Sequence, residues 1–123
     1  MSTLNSDFTY CNEIIKEFEN VVKHPVTKPS SVYYTGVDLG TAFIVVAVLD
    51  ESFRPVAGEY RYASVVKDGM IVDYLGAIRI VREMKENLEK KLGTELRYAA
   101  AALPPGTFDL DSGAIKHVVE GAG

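Results

Sequence analysis

The run Gly36-Val37-Asp38-Leu39-Gly40-Thr41-Ala42 sets a carboxylate, two glycines and a hydroxyl at the junction of two apolar runs. An acid alone repels a phosphate. With Mg2+ between them, directly or through water, the same charge attracts it, because Mg2+ takes one or two carboxylates and fills its remaining positions with water and phosphate oxygens. A turn at Leu39-Gly40-Thr41 would present backbone N–H groups, and Gly40 would let a ligand approach the main chain. Thr41 would add a hydroxyl donor. Asp and Gly are also ordinary hairpin residues. The heptapeptide by itself therefore reads either as a metal–phosphate turn or as a plain tight turn.

Other common chemistries are missing from the sequence. There is no G-x-x-x-x-G-K-[ST] loop and no G-x-G-x-x-G. His24, His117 and Cys11 are too scattered for a zinc site. No Ser/His/Asp or Cys/His set is suggested by spacing. A lone cysteine forms no intrachain disulfide, which fits a reducing cytoplasm. Cys11 lies in an apolar helical stripe and is expected to be a small buried hydrophobe.

The elements that must position the heptapeptide follow from periodicity. Phe8, Cys11, Ile15, Phe18 and Val22 recur at steps of three and four, which predicts a helix over Leu4–Val22. His24-Pro25 ends it, and residues 24–31 read as a Pro/Ser linker. Three strands are expected at Val32–Val37, Phe43–Leu49 and Pro55–Tyr62, joined as an antiparallel meander. The second is apolar at every position, so both its faces should be covered. The third, carrying Glu59 and Arg61, reads as an edge. Asp68-Gly69 signals a turn. Asp73 is placed to cap a helix over Tyr74–Leu92, which Gly93 stops. Its apolar stripe is Ile78, Val81, Met84, Leu88 and Leu92, and its charged face offers Arg82–Glu86 and Glu86–Lys90 pairs. Tyr98–Leu103 predicts a fourth strand whose alanines would let helices pack close on both faces. Asp109 or Asp111 could cap a last helix through Ile115, Val118 and Val119. The helix before the fourth strand permits a parallel crossover onto the first strand, giving a mixed α/β sheet with flanking helices.

Length and composition bound what such a fold does. The chain has 123 residues and a formal charge of -4, with 47% hydrophobic and 24% charged residues, which suits one globular domain or part of a larger one. The mild acidity gives no reason to expect nucleic acid or an anionic membrane as a partner. Nothing at the start has the pattern of a secretory signal, and the longest apolar run, Ala42–Leu49, is too short to span a bilayer.

"GVDLGTA" between two apolar strands resembles the first phosphate motif of the actin-like ATPase superfamily, which includes sugar kinases, DnaK-type chaperones and bacterial actins. "VVKDGMIVDYLGAIRIVREMKENLEKKLG" and "AALPPGT" resemble the segments that follow in that superfamily. The resemblance, over roughly Tyr34 to Gly121, is strongest to the chaperone-like ethanolamine-utilisation protein J family. It implies a ribonuclease H-like first lobe that binds ATP and Mg2+. Asp38 would hold the Mg2+ shell. Gly40, Thr41 and Ala42 would line the β- and γ-phosphate side, with Leu39 and Gly36 in the same run and Gly36 allowing tight strand packing. Lys67, Asp68 and Gly69 would shape a turn near the cleft, and Pro104, Pro105 and Gly106 the loop after the fourth strand.

The second lobe's Asp-Gly-Gly-Gly-Thr-like turn and Gly-rich adenosine site do not occur in these residues. The expected organisation is an N-terminal helix (1–23), a linker (24–31) and a first lobe (32–123), with the second lobe absent and no catalytic residue in this one. Such a chain would bind nucleotide weakly if at all, and the expectation leans against hydrolysis by this chain alone, with a weak ATPase left open for a complete protein. The function the resemblance implies is a chaperone-like, ATP-binding accessory protein of ethanolamine utilisation. Its partners would be pathway enzymes or bacterial microcompartment proteins, or a second copy of itself, in the cytoplasm. A filament-forming, pilus or cell-division assembly ATPase and a small-molecule kinase are the alternatives within the superfamily. The first helix is expected to pack on its own lobe or on a second copy, or to act as a tag for a microcompartment shell.

Overall fold

The computed structural model of the chain describes residues 3–26, 29–68, 70–102 and 109–123. The elements are α1 (Thr3–Lys23), β1 (Tyr34–Leu39), β2 (Phe43–Leu49), β3 (Pro55–Tyr62), β4 (Val66–Lys67), β5 (Met70–Ile71), α2 (Tyr74–Leu92), β6 (Tyr98–Ala102) and α3 (Asp109–Gly121). The main sheet has the order β3-β2-β1-β6. β1 and β2, and β2 and β3, run antiparallel, and β6 runs parallel to β1. This is the expected meander followed by a helical crossover.

The first strand differs from expectation by two residues at each end. Its period-2 pattern places Thr35, Val37 and Leu39 on one face, at 8%, 4% and 0% exposure. Burial of Leu39, a contribution of roughly 2 kcal/mol for a side chain of that size, carries the ladder through Asp38 and Leu39. These pair with Val45 and Ile44. Asp38 is thus a strand residue, not a turn residue.

Only one face of β2 is fully covered. Ile44, Val46 and Val48 are 1% exposed or less, packed in one core with Val81, Met84 and Leu88 of α2 and Val118 of α3. Val45, Ala47 and Leu49 on the other face are half-buried. The uniformly apolar sequence cannot reveal this asymmetry. It arises because α2 packs on the first face, whereas α1 packs on the sheet chiefly through β3.

Helix α2 forms as its sequence signals require. The Asp73 carboxylate accepts from the Gly76 amide at 2.9 Å, and Gly93 closes the helix in the left-handed region (φ 71°), its amide donating to Glu89 at 2.8 Å. The charged face pairs differently from expectation. Lys85 meets Glu89 at 3.6 Å, and Arg82 donates to the Gly121 carbonyl at 2.6 Å, tying α2 to the end of α3. Arg61 reaches from β3 to Glu83 of α2 at 2.5 Å and to Glu59 at 3.1 Å. The hydrogen bond to Glu83 raises the Arg61 pKa, burial opposes that shift, and Glu59 adds to it.

The C-terminal half of α1 packs on the lobe. Val21 is 2% exposed, the Phe18 ring lies against Gly58 of β3, and Glu17 pairs with Arg54. Beyond the helix, the Val26 amide donates to the Val56 carbonyl at 2.7 Å. Residues 8–13 are exposed, among them Cys11, expected in a core. The helix has 21 residues, about 31 Å at 1.5 Å per residue. β6 also departs from expectation. All five of its residues are exposed, because it is the outer strand of the described sheet and carries no close helix on both faces. Among the described residues, no helix is long and apolar enough to cross a membrane.

Candidate functional site

Asp38 projects from the face opposite the core, since its neighbours Val37 and Leu39 point inward. On that face Gly36, Asp38, Val45, Ala47, Ala100 and Ala102 line a shallow groove of about 360 Å3. Small side chains make the groove. A Cβ built on Gly36 would meet nothing within 4 Å, so this glycine is not needed for close strand packing. Its missing side chain leaves the groove floor open. Among the described residues the Asp38 carboxylate has no hydrogen-bond or ion-pair partner. The fold makes no use of it.

The hairpin after β1 has its tip at Thr41-Ala42, one residue beyond the expected turn. The Gly40 amide donates to the Phe43 carbonyl at 2.9 Å. A Cβ at position 40 would lie 2.9 Å from that same oxygen, so glycine is required here by the turn itself. The Gly40 N–H is consequently engaged, not presented to a ligand. The Leu39 side chain is 0% exposed, on the core face. The Ala42 carbonyl accepts from Ala63 at 2.9 Å, which fixes the tip against the end of β3. Thr41 is exposed, and its hydroxyl has no partner among the described residues.

Lys67 and Asp68 lie on the small β4–β5 hairpin, where Asp68 takes φ 53°. Both are exposed, and neither lines the groove beside Asp38. Gly69, Pro104, Pro105 and Gly106 lie outside the described residues, as do the side chains of Asp109, Asp111 and Ile115. Among the described residues, no cluster of three or more His, Cys, Asp or Glu is placed to hold a metal ion. A cation at Asp38 would have that single carboxylate from the described residues and would need water or phosphate oxygens for the rest, a donor set that suits Mg2+.

One polar residue escapes sequence reading. Thr35 is 8% exposed, its hydroxyl has no hydrogen-bond partner among the described residues, and it faces a separate cavity of about 350 Å3 between the sheet, α2 and the end of α3. A threonine in a strand carries no signal that would have singled it out.

Solved structures place this topology in the actin-like ATPase fold, of which the chain forms the first lobe. MreB5 of Spiroplasma citri bound to ADP superposes with a TM-score of 0.53 at 19% identity, over 77% of this chain and 36% of that one. A Ppx/GppA phosphatase from Aquifex aeolicus superposes with a TM-score of 0.51 at 14% identity, over 74% and 33%. At those identities the likeness is one of fold.

The crystal structure of ethanolamine utilization protein EutJ from Carboxydothermus hydrogenoformans adds sequence to fold: 49% identity and a TM-score of 0.82, over 89% of this chain and 41% of that one. EutJ of Salmonella typhimurium and of Escherichia coli are each 43% identical over 74 residues, 60% of this chain and 26% and 27% of theirs. The chain is thus similar in sequence to these EutJ proteins, and in fold to the one of known structure. It spans about a quarter of the length of these curated relatives. No protein-family model matches it.

Proposed function

We propose that this lobe is the Mg-nucleotide-binding part of a chaperone-like, ATP-dependent accessory protein of ethanolamine utilisation, with Asp38 holding the Mg2+ shell. The observation that carries this reading is the unpartnered Asp38 carboxylate above an open groove, one residue from a hairpin whose glycine is dictated by the turn. A bound Mg2+ would offset the phosphate charge that Asp38 otherwise repels. Gly36 would keep the floor of the groove clear. The Thr41 hydroxyl and the tip at Thr41-Ala42 would supply the phosphate contacts that the engaged Gly40 amide does not.

The names of the relatives support the pathway, and the ADP-bound MreB5 structure supports nucleotide as the ligand class for this fold. Partners would be enzymes of ethanolamine breakdown or microcompartment proteins in the cytoplasm. This chain alone would bind rather than hydrolyse ATP. Titration of the 15N-labelled chain with Mg-ADP and Mg-ATP tests the reading. Saturable shifts of the Gly36, Thr41 and Ala42 amides, with an affinity on the order of 1 mM or tighter and loss in Asp38→Asn, are expected. Unmoved amides at these positions would sink it.

A further inference from the structure

The apolar stripe of α1 is used for only half its length. Phe18 and Val22 meet the sheet, while Phe8 and Ile15 on the same helical face are 59% and 55% exposed. Beside the helix runs a mainly apolar groove of about 670 Å3, walled by Ile15, Phe18 and Val22, with Glu19 and Lys23, on one side and by Phe43, Val45 and Tyr60 on the other. Phe43 packs edge-on against both Tyr60 and Tyr62, with ring centroids 6.1 and 5.6 Å apart. These three rings remain 46%, 61% and 70% exposed. One molecule therefore carries both exposed apolar side chains on α1, Phe8 and Ile15, and an uncovered apolar slot, and the slot continues the interface that α1 already makes with β3.

We propose that this face pairs two copies of the chain about a two-fold axis, the exposed stretch of α1 around Phe8 in each copy seating that ring in the groove of the other. The surface available matches such a pair. At about 200 Å2 for an aromatic side chain, the exposed parts of Phe8, Phe43, Tyr60 and Tyr62 with Ile15 amount to roughly 600 Å2 per copy. Two copies would remove on the order of 1,200 Å2 from water, the lower end of the range for specific interfaces. An apolar patch of that size is at the upper limit of what isolated monomers expose. In a two-fold arrangement the same patch serves both copies, so no second surface is required. The proposal is independent of nucleotide binding at Asp38.

Light scattering coupled to size exclusion, from about 1 to 100 µM to bracket the affinity of an interface this small, reads the outcome. The wild-type chain should show twice its 13.5 kDa mass. Phe8→Lys and Tyr60→Glu should each be monomeric with unchanged circular dichroism, since both side chains are solvent-exposed. Mixing the two variants should restore a heterodimer, because one of its two contacts is then Lys against Glu and the other is wild type. A monomeric wild type at the highest concentration overturns the proposal. So does a dimer that survives both substitutions, or a mixture that stays monomeric. A wild-type monomer that instead binds an unrelated apolar helix would assign the groove to a different partner.

Discussion

The Phe43 carbonyl oxygen accepts the Gly40 amide at 2.9 Å and stands 2.9 Å from where a side chain at position 40 would begin. The hydrogen bond that closes the hairpin and the exclusion of a Cβ are thus one feature. Any residue larger than glycine must open the turn that orients Thr41 and Ala42.

Gly40→Ala is expected to cost about 1–2 kcal/mol, read as a lower urea midpoint with an unchanged slope. Gly36→Ala is the control. Its Cβ meets nothing within 4 Å, so stability should hold or rise by a few tenths of a kcal/mol through the unfolded state, while the groove loses depth. Equal losses in both variants would show that the turn contact is not what selects Gly40.

Asp38→Asn should leave stability within about 0.5 kcal/mol, the usual range for an exposed residue without partners. It should abolish the Mg-nucleotide response of the amides around it. A clear loss of stability would reveal a structural role for the carboxylate.

Gly58→Val places a branched side chain where the Phe18 ring and Val22 now lie. A cost of about 1–3 kcal/mol is expected from overpacking, and it should be local. Hydrogen exchange of the α1 amides should rise while β1 and β2 stay protected. Unaltered exchange in α1 would mean that the ring turns aside without releasing the helix.

Asp73→Ala removes the acceptor for the Gly76 amide at the start of α2. A loss of about 1 kcal/mol is expected for an N-cap, and Asp73→Asn should recover most of it. If the two variants melt alike, the cap contributes through its charge rather than its hydrogen bond.

What the sequence alone determined were features whose cause is local. Asp73 and Gly93 bound α2 because capping needs only a side-chain acceptor at one end and a left-handed residue at the other. The meander and parallel crossover followed from element order and short connections, and they are the structure's topology. The resemblance of "GVDLGTA" and its companion segments to the EutJ family rested on residue identity, which needs no coordinates. The tertiary structure decided everything that depends on what lies across from a residue. It moved Asp38 from turn to strand, because burial of Leu39 extends the ladder. It exposed Cys11, because the stretch of α1 around it is left uncovered while Phe18 and Val21 pack on the lobe. It left one face of an all-apolar β2 half-open, because helices cover the two faces unequally. It engaged the Gly40 amide, because Phe43 lies opposite. A stripe or a strand records which side of an element is apolar. Whether anything covers that side depends on the lengths and positions of elements distant in sequence, and only the packed molecule sets those.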